Sequence, residues 1–192
     1  MIKLTEDLYL GEGKHKTVYA HPEDKRLCIK ILHRADDYDW AREMRYRRAL
    51  GARADSMTLL TKYYGSVATD KGAGYLFERV LDYDGAQCVT LLSMIENRDA
   101  LLEGILTDFK RAYFSEELIL AGVDADNYLV QRVDKSARRV RVIDNIGMSA
   151  TLPLAYYFGI IRRKRCRKYW QRFMEQLKEY GLRAEFISEL SR

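Results

Sequence analysis

A β-type run that ends in a carboxylate, with a glycine soon after it, limits the fold of this chain more than any other feature. Val140–Ile143 is followed at once by Asp144, and Gly147 stands three positions later. Asn127 lies seventeen residues before Asp144, directly ahead of a second β-type run, Tyr128–Val133. Two such runs in succession predict a β-hairpin. Its two ends are expected to bring Asn127 and Asp144 close together.

The first 81 residues predict an antiparallel sheet with one helix. Three early β-type segments form a meander, and two more, Tyr63–Thr69 and Tyr75–Leu81, form a hairpin. Helical spacing over Trp40–Leu50, with an aspartate placed to cap its start and Gly51 at its end, predicts the helix.

The remaining residues, 82–192, are mainly helical. Helical periodicity runs through Val89–Ile95, Ala100–Phe114 and Leu154–Tyr180. The predicted fold class is therefore α+β: a five-stranded antiparallel sheet with one helix in residues 1–81, then a small, mainly helical unit in residues 82–192 that carries the β-hairpin. Apolar side chains along Leu154–Tyr180 predict that this tail helix is docked over much of its length.

The net charge of +5 is concentrated at the C-terminal end. Residues 155–192 hold ten Lys or Arg against four Asp or Glu, so the other residues together are close to neutral. A globally basic chain would suggest nucleic acid as the partner. A single basic segment on a near-neutral body instead indicates a local patch for phosphates, an anionic membrane face or a protein.

Cysteine usage and the start of the chain favour a cytoplasmic protein. Cys28, Cys88 and Cys166 are odd in number and lack the C-x-x-C spacing, which fits reduced thiols better than a disulfide or zinc framework. The acidic first residues argue against a secretory signal. No apolar run is long enough to span a bilayer, although peripheral attachment to a membrane stays open.

Two glycines near the start form a candidate phosphate-covering loop. Gly11 and Gly13 lie between two predicted strands, with Lys16 and Val18 just after them. Glycine lets the backbone approach phosphate oxygens without a Cβ in the way. The position between two strands suits a nucleotide-covering hairpin better than a dinucleotide fingerprint or a Walker loop, although a two-glycine turn alone is more often structural.

Lys30 and Glu43 are a candidate ion pair. Lys30 is the only charge in the apolar run Leu27–Leu32, and Glu43 falls on the apolar face of the next helix. A buried ammonium needs a partner, because its desolvation costs several kcal/mol. Such a pair would orient the ammonium toward nucleotide phosphates. The alternative is a lysine that points to water from an edge strand.

Asn127 and Asp144 are candidate magnesium ligands. Their side-chain oxygens are of the kind that Mg²⁺ selects, although an asparagine at a turn often caps the backbone instead. Glycine loop, Lys30, Asn127 and Asp144 follow one another in the order in which a protein-kinase-like fold assembles a Mg-ATP site. The sequence therefore predicts ATP and Mg²⁺ as ligands.

The catalytic base of such a fold has no direct counterpart here. Gly122 stands five residues before Asn127, where the kinase loop places an aspartate. Asp124, two positions later, is the candidate substitute, and the alternative for it is a solvated loop carboxylate. Whether the chain is an active enzyme is left open by this residue.

A basic cluster in the tail is a candidate interaction surface. Residues 162–168 hold six cations in seven positions, beside several aromatic residues. Such a cluster suits an anionic membrane surface or a phosphate-rich ligand, nucleic acid included. The alternatives are a solvated helix face or contacts to acidic side chains of the same chain.

Three segments together resemble one known family. Leu10–Asp24, Tyr64–Tyr75 and Asp144–Gly147 are similar to the PhoP regulatory network protein YrbL family of bacteria, and the likeness covers most of the chain. The resemblance implies a compact kinase-like fold and a role in envelope-stress or magnesium-responsive regulation in the bacterial cytoplasm.

The kinase roles can be carried over to matching positions. Adenine would pack against Val18, Phe77 would border its pocket, and the backbone of Glu78 and Val80 would meet its edge. Phosphate contacts would come from Gly11, Gly13 and Lys30, with Glu43 orienting the lysine, and metal contacts from Asn127 and Asp144.

Three functions remain open at this point. The first is a small atypical kinase-like protein that binds Mg-ATP and transfers phosphate to an unknown substrate. The second is a pseudokinase scaffold or regulator that binds a protein partner or an anionic membrane through its basic tail. The third is a nucleic-acid-binding protein that uses residues 162–168.

Overall fold

The computed structural model describes residues 1–191, and its N-terminal part is a five-stranded antiparallel sheet. The strand order is β1-β2-β3-β5-β4. The strands are β1 (Tyr9–Glu12), β2 (Lys16–Ala20), β3 (Leu27–Leu32), β4 (Tyr63–Thr69) and β5 (Gly72–Glu78). This confirms the predicted meander and hairpin.

The predicted helix packs across this sheet. Helix α1 spans Tyr38–Leu50 and is followed by the single turn α2, Arg53–Ser56. The Asp37 side chain accepts a hydrogen bond from the Trp40 backbone N–H, and Gly51 ends the helix at a φ of +54°. An aspartate cap and a glycine with positive φ are the usual helix boundaries.

A second, three-stranded sheet carries the predicted hairpin. It has the order β6-β7-β8, with β6 at Val89–Thr90, β7 at Tyr128–Arg132 and β8 at Arg138–Val142. The expectation of a helix from Val89 is wrong for its first two residues. Val89 and Thr90 pair with Val130 and Leu129 of β7, a long-range contact that local periodicity does not show.

Helices surround the second sheet. They are α3 (Leu91–Glu96), α4 (Leu102–Glu116), α5 (Leu154–Tyr157), α6 (Gly159–Glu179) and α7 (Ala184–Ser191). Their core is aromatic: Phe109 and Tyr113 of α4 meet Trp170 of α6 at ring-centroid distances of 5.7 and 5.5 Å. Such aromatic pairs stabilise a core beyond the burial of their area.

The tail is docked mainly in its second part. In the later predicted stripe Cys166, Trp170, Phe173 and Leu177 are buried, whereas its last member, Tyr180, is 40% exposed. The earlier predicted stripe is exposed, so the expectation of docking is wrong for its four residues, Leu154, Tyr157, Phe158 and Ile161. Periodicity indicates which side chains share a face of a helix, but not whether another element covers that face.

Hydrogen bonds hold the segment between the two sheets in place. The Asp82 carboxylate accepts hydrogen bonds from the Arg132 backbone N–H at 2.8 Å and from its Nε at 2.6 Å. The division of the chain into units 1–81 and 82–192 stays a prediction.

Gly74 marks a close approach inside the first sheet. A Cβ at this position would lie 2.6 Å from Cγ2 of the buried Ile29 and 3.0 Å from Cγ2 of Thr69. We expect Gly74→Ala to lower the free energy of unfolding by about 1–3 kcal/mol through overpacking. Urea unfolding measures this change.

Gly104 provides the matched control, because it lies exposed in α4 with nothing within 4 Å of a Cβ. Gly104→Ala is expected to raise the free energy of unfolding by about 0.5–1 kcal/mol. Equal stabilisation by both substitutions would contradict the close packing at Gly74.

Candidate functional site

A cleft of about 440 Å³ opens where the two sheets meet. Its volume lies within the usual range for small-molecule sites. Its walls include six of the residues predicted to bind a nucleotide: Gly11, Val18, Lys30, Phe77, Glu78 and Val80. Residues far apart in sequence are thus brought to one cavity. Gly13 is not part of the wall and lies exposed in the loop above it, where its backbone N–H donates to the Lys16 carbonyl.

Lys30 is buried at the inner end of this cleft. Its side chain is 6% exposed, and it lies in β3, the central strand, so the alternative of an edge-strand lysine is wrong. Its Nζ donates to the Ile143 carbonyl at 2.6 Å and lies 4.1 Å from the centre of the Phe77 ring. Burial lowers the pKa of Lys30, helped by the charge of Lys16 and opposed by Asp144 and other groups.

Asp144 lies beside two lysines. Lys16 Nζ contacts its carboxylate at 2.5 Å, and the Asn145 backbone N–H donates to it at 2.8 Å. Burial would raise the pKa of Asp144, but attraction to Lys30 and Lys16 outweighs that effect and lowers the pKa to about 2. The carboxylate therefore stays ionised, as a metal ligand must.

Glu43 does not form the predicted contact with Lys30. It is 2% exposed and accepts a hydrogen bond from Arg47 Nε at 2.8 Å. Arg47 also donates to the Thr61 carbonyl and lies over the Phe77 ring. The expected Lys30–Glu43 ion pair is therefore wrong in this structure, because a residue one helical turn away satisfies Glu43. Glu43 acts on Lys30 through its charge alone, opposing the lowering of the lysine pKa.

Asn127 and Asp144 lie at the same end of the hairpin. The Ile143 backbone N–H donates to the Asn127 carbonyl at 3.1 Å, which fixes the residue before Asp144 beside Asn127. In the described part of the chain, the Asn127 side chain has no hydrogen-bond partner, so it does not act as a backbone cap. Its role in metal binding stays a prediction.

Asp124 reaches the space beside Gly122. A Cβ at residue 122 would lie 2.5 Å from Asn145 Nδ2 and 3.0 Å from Asp124 Oδ2. Asn145 Nδ2 donates to Asp124 Oδ2 at 3.0 Å, and Arg42 Nη2 donates to Asn145 Oδ1 at 2.8 Å. Glycine at 122 thus makes room for a carboxylate that enters from two residues later.

Sequence reasoning missed several residues of this site. Asp126 lines the cleft one residue before Asn127, and its place in an aspartate-rich turn was the available signal. Asn145 and Arg42 hold Asp124 through contacts that no local pattern shows. The position of Lys16 just after the glycines does not reveal that it pairs with Asp144.

The low pKa of Asp144 makes the free energy of unfolding depend on pH. A carboxylate with a pKa of about 2 in the folded state, against an ordinary 3.8, stabilises the fold above the ordinary value and loses that contribution as pH falls toward 2. We expect Asp144→Asn to lower the free energy of unfolding by about 2 kcal/mol at about pH 7, and by progressively less between about pH 4 and 2. Urea unfolding at several pH values tests this.

Asp55→Asn is the control, because Asp55 is exposed in α2. It should change stability little at every pH. A pH-independent loss in Asp144→Asn would contradict this dependence.

Comparisons with known proteins identify the family of this chain. A family model described as PhoP regulatory network protein YrbL matches residues 2–178. The YrbL proteins of Escherichia coli K12 and Shigella flexneri are each 35% identical over 184 residues, covering 92% of this chain and 88% of theirs.

The fold is also found in a solved kinase domain. That structure matches with a TM-score of 0.50 at 13% identity, covering 78% of this chain and 54% of the kinase domain's chain. The likeness shows the fold alone, and it confirms the predicted kinase-like α+β class. On the family match and the identity to its relatives, the chain belongs to the PhoP regulatory network protein YrbL family.

Proposed function

We propose that the cleft binds a magnesium–nucleotide complex, with ATP as the nucleotide. The observation that carries this proposal is a buried ammonium, Lys30, in the wall of the cavity, with the ionised carboxylate of Asp144 close enough for each charge to shift the pKa of the other. A lysine in such a place is costly to the fold unless a ligand or a partner uses its charge.

The cavity walls fit the two ends of a nucleotide. Val18 and the buried Phe77 are apolar residues of the cavity wall, where a base would lie, and Glu78 and Val80 line the same cavity. The glycine loop and Lys30 lie toward the other end, where phosphates would meet backbone N–H groups and an ammonium. The charge of Glu43 favours the protonated form of Lys30, because it raises the pKa of that lysine.

Asp144 and Asn127 fit the requirements of Mg²⁺. This ion keeps several waters and takes one or two protein oxygens together with phosphate oxygens. Lys16 neutralises the Asp144 carboxylate in this structure. A metal ion held by Asp144 would replace Lys16 as its partner, and the Lys16 ammonium would then be available to phosphate oxygens.

Mg-ATP, when bound, would supply a transferable phosphoryl group and the cation that neutralises it. Asp124 would accept the proton of the acceptor hydroxyl, held in place by Asn145 and, behind it, Arg42. The family description supports a role in PhoP-linked regulation, and we propose that this role is magnesium-responsive and cytoplasmic.

Ligand binding should stabilise the protein measurably. ATP with Mg²⁺ at about 100 times its Kd is expected to add about 2.7 kcal/mol to the free energy of unfolding. Lys30→Met and Asp144→Asn should lose most of this gain, because each removes one charge of the site. Thermal unfolding with and without ligand measures it.

Two exposed residues give matched controls for that experiment. Lys25→Met and Asp55→Asn remove the same charges from exposed positions, Lys25 in the loop before β3 and Asp55 in α2, and should keep the full gain. The absence of any gain in the wild type, or an equal gain in all variants, would refute nucleotide binding at this cleft.

Turnover separates an enzyme from a scaffold. If Asp124 is the base, Asp124→Asn should slow phosphate transfer from radiolabelled ATP by about 10²–10⁴-fold while ligand stabilisation persists. Asp55→Asn should leave the rate unchanged. Lipid, sugar and protein mixtures serve as acceptors. A rate unaffected by Asp124→Asn would remove that residue from the mechanism.

The second candidate is a pseudokinase scaffold. Glu43 paired with Arg47, and glycine at position 122, both favour it. A scaffold would show ligand stabilisation without transfer to any acceptor, and the same two experiments distinguish the two functions.

A further inference from the structure

The segment that follows the candidate site exposes an unusual amount of apolar surface. Leu152 and Ile160 are 76% and 78% exposed, and Tyr157 and Phe158 are 68% and 56% exposed. They cluster within ten residues, from the loop before α5 to the first turn of α6. Clusters of this kind mark interaction surfaces, unlike single exposed apolar residues.

The cations of α6 continue this surface. Lys164, Arg167 and Lys168 are exposed and follow Ile160 at helical spacings of four, seven and eight residues, so they share its face. The opposite face, with Tyr169 and Phe173, is buried.

Not every cation of the cluster is available. Arg162 and Arg163 contact Glu117 at 2.6 and 3.3 Å, as the sequence alternative of contacts to acidic side chains allowed. For these two residues that alternative holds. In the described part of the chain, Lys164, Arg167 and Lys168 form no ion pair.

We propose that this surface, called here the tail surface, binds an anionic lipid bilayer. It consists of the exposed apolar residues of 152–161 together with Lys164, Arg167 and Lys168. Apolar side chains that enter the headgroup boundary, flanked by cations that meet anionic lipids, are what a peripheral helix needs. None of the helices in residues 1–191 is long and apolar enough to cross a bilayer.

The apolar half of the surface favours lipid over the other partners. Leu152 and Ile160 neither stack on bases nor bond to phosphate, so nucleic acid would leave them in water. A second copy of the chain in a two-fold contact would set the same three cations against each other. A bilayer can accept the apolar side chains and the three cations at the same time.

The tail surface is connected to the candidate site. Met148, just after the Asp144–Gly147 turn, donates its backbone N–H to the Tyr156 hydroxyl at 2.7 Å. Tyr156 is buried next to the exposed Tyr157. The tail surface is thus joined to the turn that follows Asp144, but its binding to a bilayer does not depend on nucleotide binding.

Sedimentation with vesicles tests the proposal on the full chain. We expect the protein to bind vesicles that contain phosphatidylglycerol. Binding to vesicles of pure phosphatidylcholine should be much weaker. Lys164→Gln, Arg167→Gln and Lys168→Gln together should weaken binding about 100-fold, because each cation contributes roughly 1 kcal/mol near the membrane. Leu152→Ser with Ile160→Ser should weaken it by about tenfold or more, while the charge is unchanged.

Matched variants elsewhere serve as controls. Lys3, Lys25 and Lys135 are exposed, and their triple change to Gln removes the same charge but should leave binding intact. Leu101→Ser with Val133→Ser is the corresponding control for the apolar change. Circular dichroism verifies that each variant folds.

Three results would overturn the proposal. The first is a lack of specific binding, seen either as no binding to anionic vesicles or as an equal loss of vesicle binding in the triple control variant. The second is full binding by the Leu152 and Ile160 variant, which, together with salt-sensitive binding to single-stranded RNA, would identify nucleic acid as the partner. The third is a dimer, seen by analytical ultracentrifugation, that the same variant abolishes.

Discussion

The buried ammonium of Lys30 is the constraint around which the candidate site is arranged. It lies in the central strand of the first sheet, and burial disfavours its charge. Its partners come from elsewhere: the Ile143 carbonyl follows the second sheet, Asp144 supplies a negative charge, and the Phe77 ring lies against the ammonium. A charge that is expensive to bury therefore ties the two sheets together. The cleft opens where they meet, so the groups that hold the fold are also those available to a ligand.

The turn after Asp144 connects this cleft to the helical part of the chain. Asn145 and Gly147 have φ angles of +62° and +87°, and a side chain at 147 would lie 2.9 Å from both Tyr46 Cβ and the Tyr156 hydroxyl. Glycine at 147 is required on both grounds. The same turn aims the Asn145 amide at Asp124 and leads into the exposed tail surface. Site, core and surface are thus consecutive along one short stretch of chain.

Local patterns predicted most elements because the underlying forces are local. The meander, the hairpin of residues 128–142, α1 and α4 follow from side-chain periodicity, caps and turn residues, and the structure confirms them. The errors fall where pairing or coverage is decided by distant residues. Val89–Thr90 became a strand because β7 lies beside it. Leu154, Tyr157, Phe158 and Ile161 stay exposed because no described element covers that face of the tail. The tail helix predicted over Leu154–Tyr180 shows both outcomes: it divides at Phe158 into α5 and α6, and the stripe that α6 carries is buried while the earlier one is exposed.

The sequence by itself determined that Lys30, Asn127 and Asp144 occur in a kinase-like order on defined elements, because strand runs and a carboxylate at a strand end are visible in one dimension. Only the tertiary structure decided which side chains are in contact. It paired Glu43 with Arg47 and brought Asp124 beside Gly122, since these contacts depend on packing between elements rather than on spacing along the chain. Hydrogen bonds and ion pairs extend only a few ångströms, so their partners are settled when the chain has folded.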